Sequence, residues 1–431
     1  MVSQVEIVSK EIIKPSSPTP SLRNLKLSFL DKLEGTNYGS ILLFYENHTS
    51  PKLNRPQISH KLKQSLSETL TKFYPYAGRI NGNNDSIDCN DSGALFVEAQ
   101  VHSDLLQKIQ SATKTDINQY LPINTSQSHQ NYETNNFFPL AVQISFFRCG
   151  GVGIGVCLSH GVADMYTLAT FVNSWAANCS GRTENFQPDF QIGNELFPLI
   201  EIPADQVPDP AAVHDFVAGE EKIVTKRLIF DVEILGEMKK QASSRSSSDN
   251  PTTVETISAF IWKHMIDAIR AKTATKKAFG AFHSVDIRRR ISPPIPNAMG
   301  NFIVATLARC DSKDSGDFCD LVTPLREAIR KDYKEYIKNE QKILEYLGLL
   351  SKSEPERTCC LFTSICKFPL YEMEFGWGKP FAFFPMDQKI KNGVILMDTK
   401  GGDGIEAWIS MAEDEVGMLP TQFLELENDA F

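Results

Sequence analysis

The sequence predicts an α/β protein built from two halves, each a mixed sheet covered by helices. Strand and helix signals alternate along the 431 residues, and the composition is that of a globular protein, with 42% hydrophobic and 23% charged residues. A proline-rich segment near the middle is typical of a connection between domains. We therefore expect an N-terminal half over residues 1–196, a crossover linker over 197–219 and a C-terminal half over 220–431.

The N-terminal half begins with an uninterrupted apolar run at residues 41–45, which is typical of a buried strand. Between residues 57 and 73, isoleucine and leucine recur every four positions, which predicts the buried face of a helix. Residues 141–147 and 152–158 read as two strands joined by a Cys-Gly-Gly turn, a hairpin signal. The apolar periodicity of residues 164–177 predicts the helix that follows.

The C-terminal half repeats this alternation. A short strand is expected at residues 228–230, and the polar stretch 243–250 is expected to be an exposed loop. Residues 254–270 have the spacing of a helix with one buried face. A long charged helix is expected over 321–346, and the alternation at 405–411 predicts a strand late in the chain.

The charge and cysteine content restrict the possible partners. With 44 basic and 53 acidic residues the net charge is −9, which disfavours general binding of nucleic acid or an anionic membrane. The most apolar stretch, residues 137–159, is interrupted by polar residues and glycines, so no membrane span is expected. Nine cysteines without a CxxC pair favour reduced thiols over disulfides or a zinc site. We expect a cytoplasmic protein without a metal.

The segment from His160 to Asp164 is the first candidate for chemistry. The histidine ends a predicted strand and the aspartate begins a predicted helix, and strand ends in such folds often line ligand crevices. A histidine there can act as a general base near neutral pH. The spacing alone also allows a packed histidine and an aspartate that only caps the helix. A metal pair lacks a third ligand, and neither a dinucleotide loop nor a G-x-S-x-G motif occurs.

Two further segments stand out. In the first, Gly376 and Gly378 flank Trp377, which indicates a sharply turned loop with a packed aromatic anchor. In the second, three arginines at 288–290 precede a proline-rich loop that ends at Asn301. These arginines could form a solvated face, bind phosphate or pair with a carboxylate.

Together these segments resemble the plant BAHD acyltransferases, which transfer acyl groups from coenzyme A thioesters to alcohols or amines. The H-x-x-x-D motif, the arginine and proline segment and the F-G-W-G loop occur in the order of that family. Further similarities lie at residues 15–20, 74–79 and 253–262. The resemblance implies a two-domain fold like chloramphenicol acetyltransferase, with a channel between the halves. One departure is Glu374, which stands where the family loop normally begins with aspartate.

The resemblance also implies roles for individual residues. His160 would be the general base, and the Trp377 N–H would be the donor that stabilises the oxyanion. Asp164 would pair with Arg288 and so hold the His160 loop in shape. Further support would come from Glu374, Gly376 and Gly378. Contacts to coenzyme A are expected from Thr252, Thr253, Ser284, Asp286 and Asn301.

The function expected from this resemblance is acyl-CoA-dependent O-acyl transfer. The donor would be acetyl-CoA or another acyl-CoA, and the acceptor a hydroxyl of a plant specialised metabolite, an alkaloid or a terpenoid alcohol. An N-acyltransferase and a non-catalytic paralogue are the alternatives. We expect a monomer with no metal, nucleic acid or membrane partner. Because coenzyme A is a polyanion, the acidic average would have to hide a local basic patch, expected around residues 288–290.

Overall fold

The computed structural model describes most of the chain. The described residues are 5–19, 23–35, 37–46, 53–81, 85–110, 117–123, 137–182, 185–200, 221–245, 250–273, 278–310, 316–334, 342–343, 345–346, 357–385, 390–420, 423 and 426.

The strands of these residues form two six-stranded mixed sheets and one small sheet. The first sheet has the order β1-β6-β7-β8-β3-β13, the second β11-β10-β12-β14-β15-β9, and the third β2-β5-β4. In chain order the strands are β1 (Val5–Ile13), β2 (Asn24–Lys26), β3 (Tyr38–Tyr45), β4 (Arg79–Ile80), β5 (Ser86–Asp88), β6 (Ala94–Val101), β7 (Leu140–Phe147), β8 (Val152–Ser159), β9 (Ile223–Phe230), β10 (Ala278–Asp286), β11 (Ile303–Cys310), β12 (Arg357–Ser364), β13 (Ala382–Pro385), β14 (Gly393–Asp398) and β15 (Ile405–Ala412).

Helices cover both large sheets, and in the described part of the chain none is long and apolar enough to span a bilayer. In chain order they are α1 (Phe29–Leu33), α2 (Arg55–Lys72), α3 (Leu105–Gln110), α4 (Met165–Cys179), α5 (Ile192–Leu196), α6 (Val232–Arg245), α7 (Thr253–Thr273), α8 (Phe318–Arg330) and α9 (Glu413–Val416).

The first core joins the first sheet to α2 and α4. Asn54 and Gln57 form a capping box at the start of α2, which satisfies amide groups that the first helical turn leaves free. The indole of Trp175 is fully buried and donates to the Ser65 hydroxyl of α2 at 3.0 Å. This contact fixes α4 beside α2, so the start of α4 has a defined position at the edge of β8.

The second core lies under α7 and α8. Its largest buried side chain is Trp262 of α7, which packs among aliphatic residues of the second sheet. One strand from the later part of the chain joins the first sheet, because β13 pairs with β3, with Ala382 opposite Phe44. The predicted linker lies mostly outside the described residues, which include only 197–200 of it, so the domain boundaries stay a prediction.

The mixed two-sheet α/β architecture is as predicted, and most predicted elements are present. The helix predicted over 321–346 is wrong in length, since α8 ends at Arg330 and Lys331 is extended at φ −54° and ψ 139°. Residues 342–343 and 345–346 are helical again, with Ile343 and Tyr346 buried, so the predicted helix is interrupted at Lys331 and does not run continuously. The loop predicted at 243–250 is wrong at its start, because residues 243–245 complete the last turn of α6.

Candidate active site

His160 lies at the point where β8 ends and α4 begins. The last residue of β8, Ser159, pairs with Tyr38 of β3, and the His160 amide donates to the Asn37 carbonyl at 2.7 Å. One turn later Asp164 caps α4, its Oδ1 accepting from the Thr167 amide at 2.9 Å. The backbone therefore holds the histidine on the rim of the first sheet, with the aspartate turned into the protein.

The imidazole of His160 is oriented by Asn301. The Nδ1 atom lies 3.1 Å from Asn301 Oδ1, and the side-chain Nδ2 of Asn301 donates to the His160 carbonyl at 2.6 Å. An amide oxygen can only accept a hydrogen bond, so this contact requires a proton on Nδ1. Nε2 is then the unprotonated nitrogen of the neutral ring, and the side chain is 21% exposed. This is the tautomer that a general base needs.

Asn301 is itself held by a buried carboxylate. Asp31 Oδ1 accepts from the backbone N–H of Asn301 at 2.7 Å and from its side-chain Nδ2 at 2.9 Å. The other oxygen of Asp31 accepts from the Ser28 amide and hydroxyl, the capping box that begins α1. Burial raises the pKa of Asp31 more than these hydrogen bonds lower it. The arrangement fixes the Asn301 amide, and through it the His160 ring.

The predicted role of Asn301 as a coenzyme A contact is not supported. Its side chain is fully buried, and both ends are engaged by His160 and Asp31. No polar atom of the side chain is left for a ligand. Sequence reasoning missed Asp31, although the Ser28-x-x-Asp31 spacing is a helix-start signal that could have drawn attention to it.

The predicted pairing of Asp164 with Arg288 is present. The guanidinium binds both carboxylate oxygens, at 2.7 and 3.0 Å, and the two side chains are only 2% and 1% exposed. Arg288 also donates to the carbonyls of Ala298 and Gly300, and Asp164 accepts from the Phe302 amide at 3.0 Å. The pair therefore fastens the start of α4 to the segment that carries Asn301.

The electrostatics of the pair agree with this geometry. Burial raises the pKa of Asp164, but the charge of Arg288 and the amide donors outweigh it, so the net shift is downward. The pKa of Arg288 is raised, because its two carboxylate neighbours, Asp164 and Asp286, outweigh burial. Asp164 is thus a charged structural residue that faces away from Nε2, not a proton relay.

The remaining predicted coenzyme A contacts lie on the second half of the chain. Thr252 is exposed and caps α7, its hydroxyl accepting from the Glu255 amide at 3.2 Å, and Thr253 is half-buried beside it. Ser284 is half-buried on β10, and burial raises the pKa of Asp286 at the end of that strand. Their role toward coenzyme A stays a prediction.

The expected basic patch is smaller than three arginines. Arg288 is ion-paired with Asp164, and Arg290 donates to the Ile329 carbonyl of α8. Arg289 is exposed, and none of the described residues pairs with it. It is the cation of this segment that remains available to an anionic ligand.

The prediction that Trp377 stabilises an oxyanion is wrong, because Trp377 lies far from His160. Its ring packs 6.3 Å from the ring of Tyr45, the last residue of β3. The first residue of β3, Tyr38, pairs with Ser159, which directly precedes His160. With eight residues, β3 is roughly 25 Å long. The adjacent Gly376 lies against Ser180, beyond the far end of the 15-residue α4, whose length is about 22 Å. Both elements place the indole roughly 20 Å from the imidazole.

The F-G-W-G loop instead completes the first core. Phe375 packs edge-on against Trp175 of α4 at 4.9 Å, and Trp377 is 2% exposed. Gly376 and Gly378 have φ values of 103° and 111°, a conformation that side chains rarely adopt. The Glu374 carbonyl accepts from Arg182 at 3.3 Å. These residues fix the loop that leads into β13, at a distance from the chemistry.

The geometry around His160 suits proton abstraction. A partly exposed imidazole presents Nε2 while Nδ1 is held by a buried amide, the arrangement of a general base. A second carboxylate, that of Glu34, lies 3.7 Å from Nδ1 and was not anticipated from the sequence. Within the described ranges, no group of three metal-ligating side chains comes together.

Comparison with known proteins agrees with this chemistry. The family described as the Transferase family matches residues 3–425. Vinorine synthase of Rauvolfia serpentina is 44% identical over 434 residues, and stemmadenine O-acetyltransferase of Catharanthus roseus is 45% identical, each covering 100% of both chains. Limonoid 1-O-acetyltransferase of Citrus sinensis is 34% identical over 96% of this chain and 95% of its own.

Solved structures give the same result for the fold. The crystal structure of vinorine synthase superposes with a TM-score of 0.86 at 42% identity, covering 99% of each chain. The F. graminearum TRI101 structure, complexed with coenzyme A and T-2 mycotoxin, superposes with a TM-score of 0.72 at 17% identity. It covers 91% of this chain and 96% of that one, and at this identity the likeness concerns the fold alone.

Proposed function

The chain belongs to the BAHD acyltransferases, a family of plant transferases, and we propose that it acetylates a hydroxyl of an alkaloid or terpenoid with acetyl-CoA. The observation that carries the proposal is the imidazole of His160, partly exposed and held by Asn301 with Nε2 unprotonated. Stemmadenine O-acetyltransferase and limonoid 1-O-acetyltransferase are named for acetyl transfer to oxygen, which favours the same reaction here.

His160 supplies the proton transfer of the reaction. A hydroxyl has a pKa far above neutral and is a weak nucleophile until Nε2 takes its proton during attack on the thioester carbonyl. The C–S bond then breaks, and His160 returns the proton to the departing thiolate. Base catalysis of this kind contributes about 10²–10⁴-fold. Because the hydroxyl attacks the thioester directly, no acyl-enzyme is needed.

The residues of the second half fit an anionic thioester donor. Arg289 supplies an exposed cation beside β10, and Thr252, Thr253 and Ser284 offer hydroxyls that are exposed or half-buried on the same half of the chain. Hydroxyl and guanidinium groups are the usual donors to phosphate. These residues would hold the pantetheine and phosphates, while His160 handles the proton.

An amine acceptor is the nearest alternative, because the same base can deprotonate the attacking nitrogen of an N-acyltransferase. A non-catalytic paralogue is disfavoured by the intact geometry at His160, Asn301 and the Asp164–Arg288 pair. All nine cysteines are free thiols, which supports the proposal of a cytoplasmic protein, here taken as a monomer. Light scattering and cell fractionation test those two points.

The proposed function is tested with purified protein, acetyl-CoA and a matched panel of alcohols and amines. Thiol release from coenzyme A reports turnover, and the product mass gives the acyl group and its point of attachment. We expect ester products and release that depends on an alcohol. Amide products alone would favour the N-acyltransferase, and no acceptor-dependent release from any panel member would contradict both.

A further inference from the structure

Glu34 lies beside the catalytic histidine without taking part in its orientation. It follows the last residue of α1, and its Oε2 is 3.7 Å from His160 Nδ1, too long for a hydrogen bond. The proton on Nδ1 is already directed to Asn301 at 3.1 Å. The side chains of Glu34 and His160 are 29% and 21% exposed. Both side chains are therefore partly open to solvent beside one another.

Within the part of the chain that the structure describes, Glu34 has no permanent counter-ion. The two nearby carboxylates are matched, Asp164 by Arg288 and Asp31 by donors from Ser28 and Asn301. Among the described residues, the cationic neighbour of Glu34 is His160, which is charged only after it has taken a proton. Burial raises the pKa of Glu34, whereas the charge of His160 lowers it. The negative charges of Asp164 and Asp31 raise the pKa of Glu34 further. The charge of an arriving cation would favour the ionised carboxylate and offset the repulsion from Asp164 and Asp31.

We propose that Glu34 recognises a protonated nitrogen on the acceptor, so that this enzyme prefers alcohols that carry a basic amine. The inference rests on the proposed function, since it names the acceptor class of the same site. With a hydroxyl on Nε2 and an ammonium on Glu34, each at roughly 3 Å, the two groups of the acceptor lie no more than about 12 Å apart. Neutral terpenoid alcohols would lack this contact.

A carboxylate so close to the ring could instead stabilise the protonated imidazole. That role would help every acceptor equally, because it acts on His160 and not on the substrate. Recognition of a cation helps only acceptors that carry one. The two roles are therefore separated by comparing charged and neutral acceptors of one shape.

The experiment uses tropine, its N-methyl quaternary salt and the neutral N-acetylnortropine, which share one alcohol skeleton. Dissociation constants are measured by calorimetry on the full chain, and acetylation is followed separately by thiol release. The variant is Glu34→Gln, which removes the charge and keeps the shape. Its control is Glu237→Gln, an equal charge change at an exposed position of α6. Melting curves verify that both variants fold.

We expect both cations to bind wild type at least tenfold more tightly than the amide, and Glu34→Gln to lose this preference while Glu237→Gln retains it. Equal binding of cation and amide, a preference that survives in Glu34→Gln, or no measurable binding of either cation would overturn the proposal. A fall in turnover by the same factor for all three alcohols would assign Glu34 to the imidazolium instead. Failure of the proposed function is distinct, because it appears as missing thiol release whatever the dissociation constants.

Discussion

Replacing Arg288 by leucine would leave a buried carboxylate without its charge partner. Asp164 would keep its amide donors from Thr167 and Phe302 but lose both guanidinium contacts, at 2.7 and 3.0 Å. The carbonyls of Ala298 and Gly300 would lose a donor as well. Removing one partner of such a pair costs about 3–5 kcal/mol. We expect the free energy of unfolding of Arg288→Leu to fall by that amount.

Urea unfolding followed by tryptophan fluorescence measures the loss. The matched control is Arg289→Leu, which makes the same change at the adjacent, exposed position and should stay within about 0.5 kcal/mol of wild type. Either single substitution removes the same ion pair. The free energy of unfolding of the double variant Asp164→Leu/Arg288→Leu should therefore fall by less than the sum of the two single losses. A loss in Arg288→Leu no greater than in Arg289→Leu would refute the reasoning.

The pH dependence gives an independent test of the same pair. The pKa of Asp164 is lowered in the folded protein, so its contribution is complete above the unfolded value of about 3.9 and is lost as pH falls through the folded value. In Arg288→Leu the positive charge that lowers the pKa of Asp164 is absent, so burial raises this pKa. The deficit of the variant should therefore be largest near pH 8 and shrink toward acid. A deficit that grows as pH falls would contradict the assignment.

Three further substitutions separate the roles around the site. Trp377→Phe should leave kcat and KM within about twofold, because its buried N–H has no partner among the described residues and lies far from His160. A 10²–10³-fold fall, expected of an oxyanion donor, would contradict this placement. Asn301→Ala should lower kcat by about 10–10² with the KM for acetyl-CoA unchanged, since it frees the imidazole. A rise in that KM alone would restore Asn301 as a coenzyme A contact. Glu374→Asp should alter stability by less than about 0.5 kcal/mol, since its carboxylate is remote from the chemistry; loss of all activity would assign it a role there.

The sequence was most informative where a local pattern determines the outcome. Alternation and apolar runs located β3, β7, β8 and β15, and the four-residue spacing located α2. The Asp164 cap followed from its place at a predicted helix start and the arginine partner from the family resemblance, and the structure contains both. The single helix expected over 321–346 is interrupted where the extended backbone of Lys331 ends α8, and no sequence pattern marked that break.

The site residues that were wrongly assigned or missed are those whose neighbours in space lie far away in the sequence. Trp377 follows His160 by more than two hundred positions, and no local pattern says that β13 carries its loop to the far end of β3. Asn301 was expected to contact coenzyme A on the family resemblance, whereas its partners Asp31 and His160 come from distant parts of the chain. Glu34 was missed for the same reason, since its meaning depends entirely on the 3.7 Å contact with the imidazole.

Removal of the imidazole tests the proposed chemistry most directly. Thiol release from acetyl-CoA is measured for wild type, His160→Ala and His102→Ala, with an alcohol that wild type acetylates. The control residue His102 lies on the surface, with a side chain that is 65% exposed. We predict a fall of about 10²–10⁴-fold in kcat for His160→Ala, an unchanged melting temperature and a wild-type rate for His102→Ala. Turnover by folded His160→Ala at a rate near that of wild type would contradict the assignment of His160 as the base.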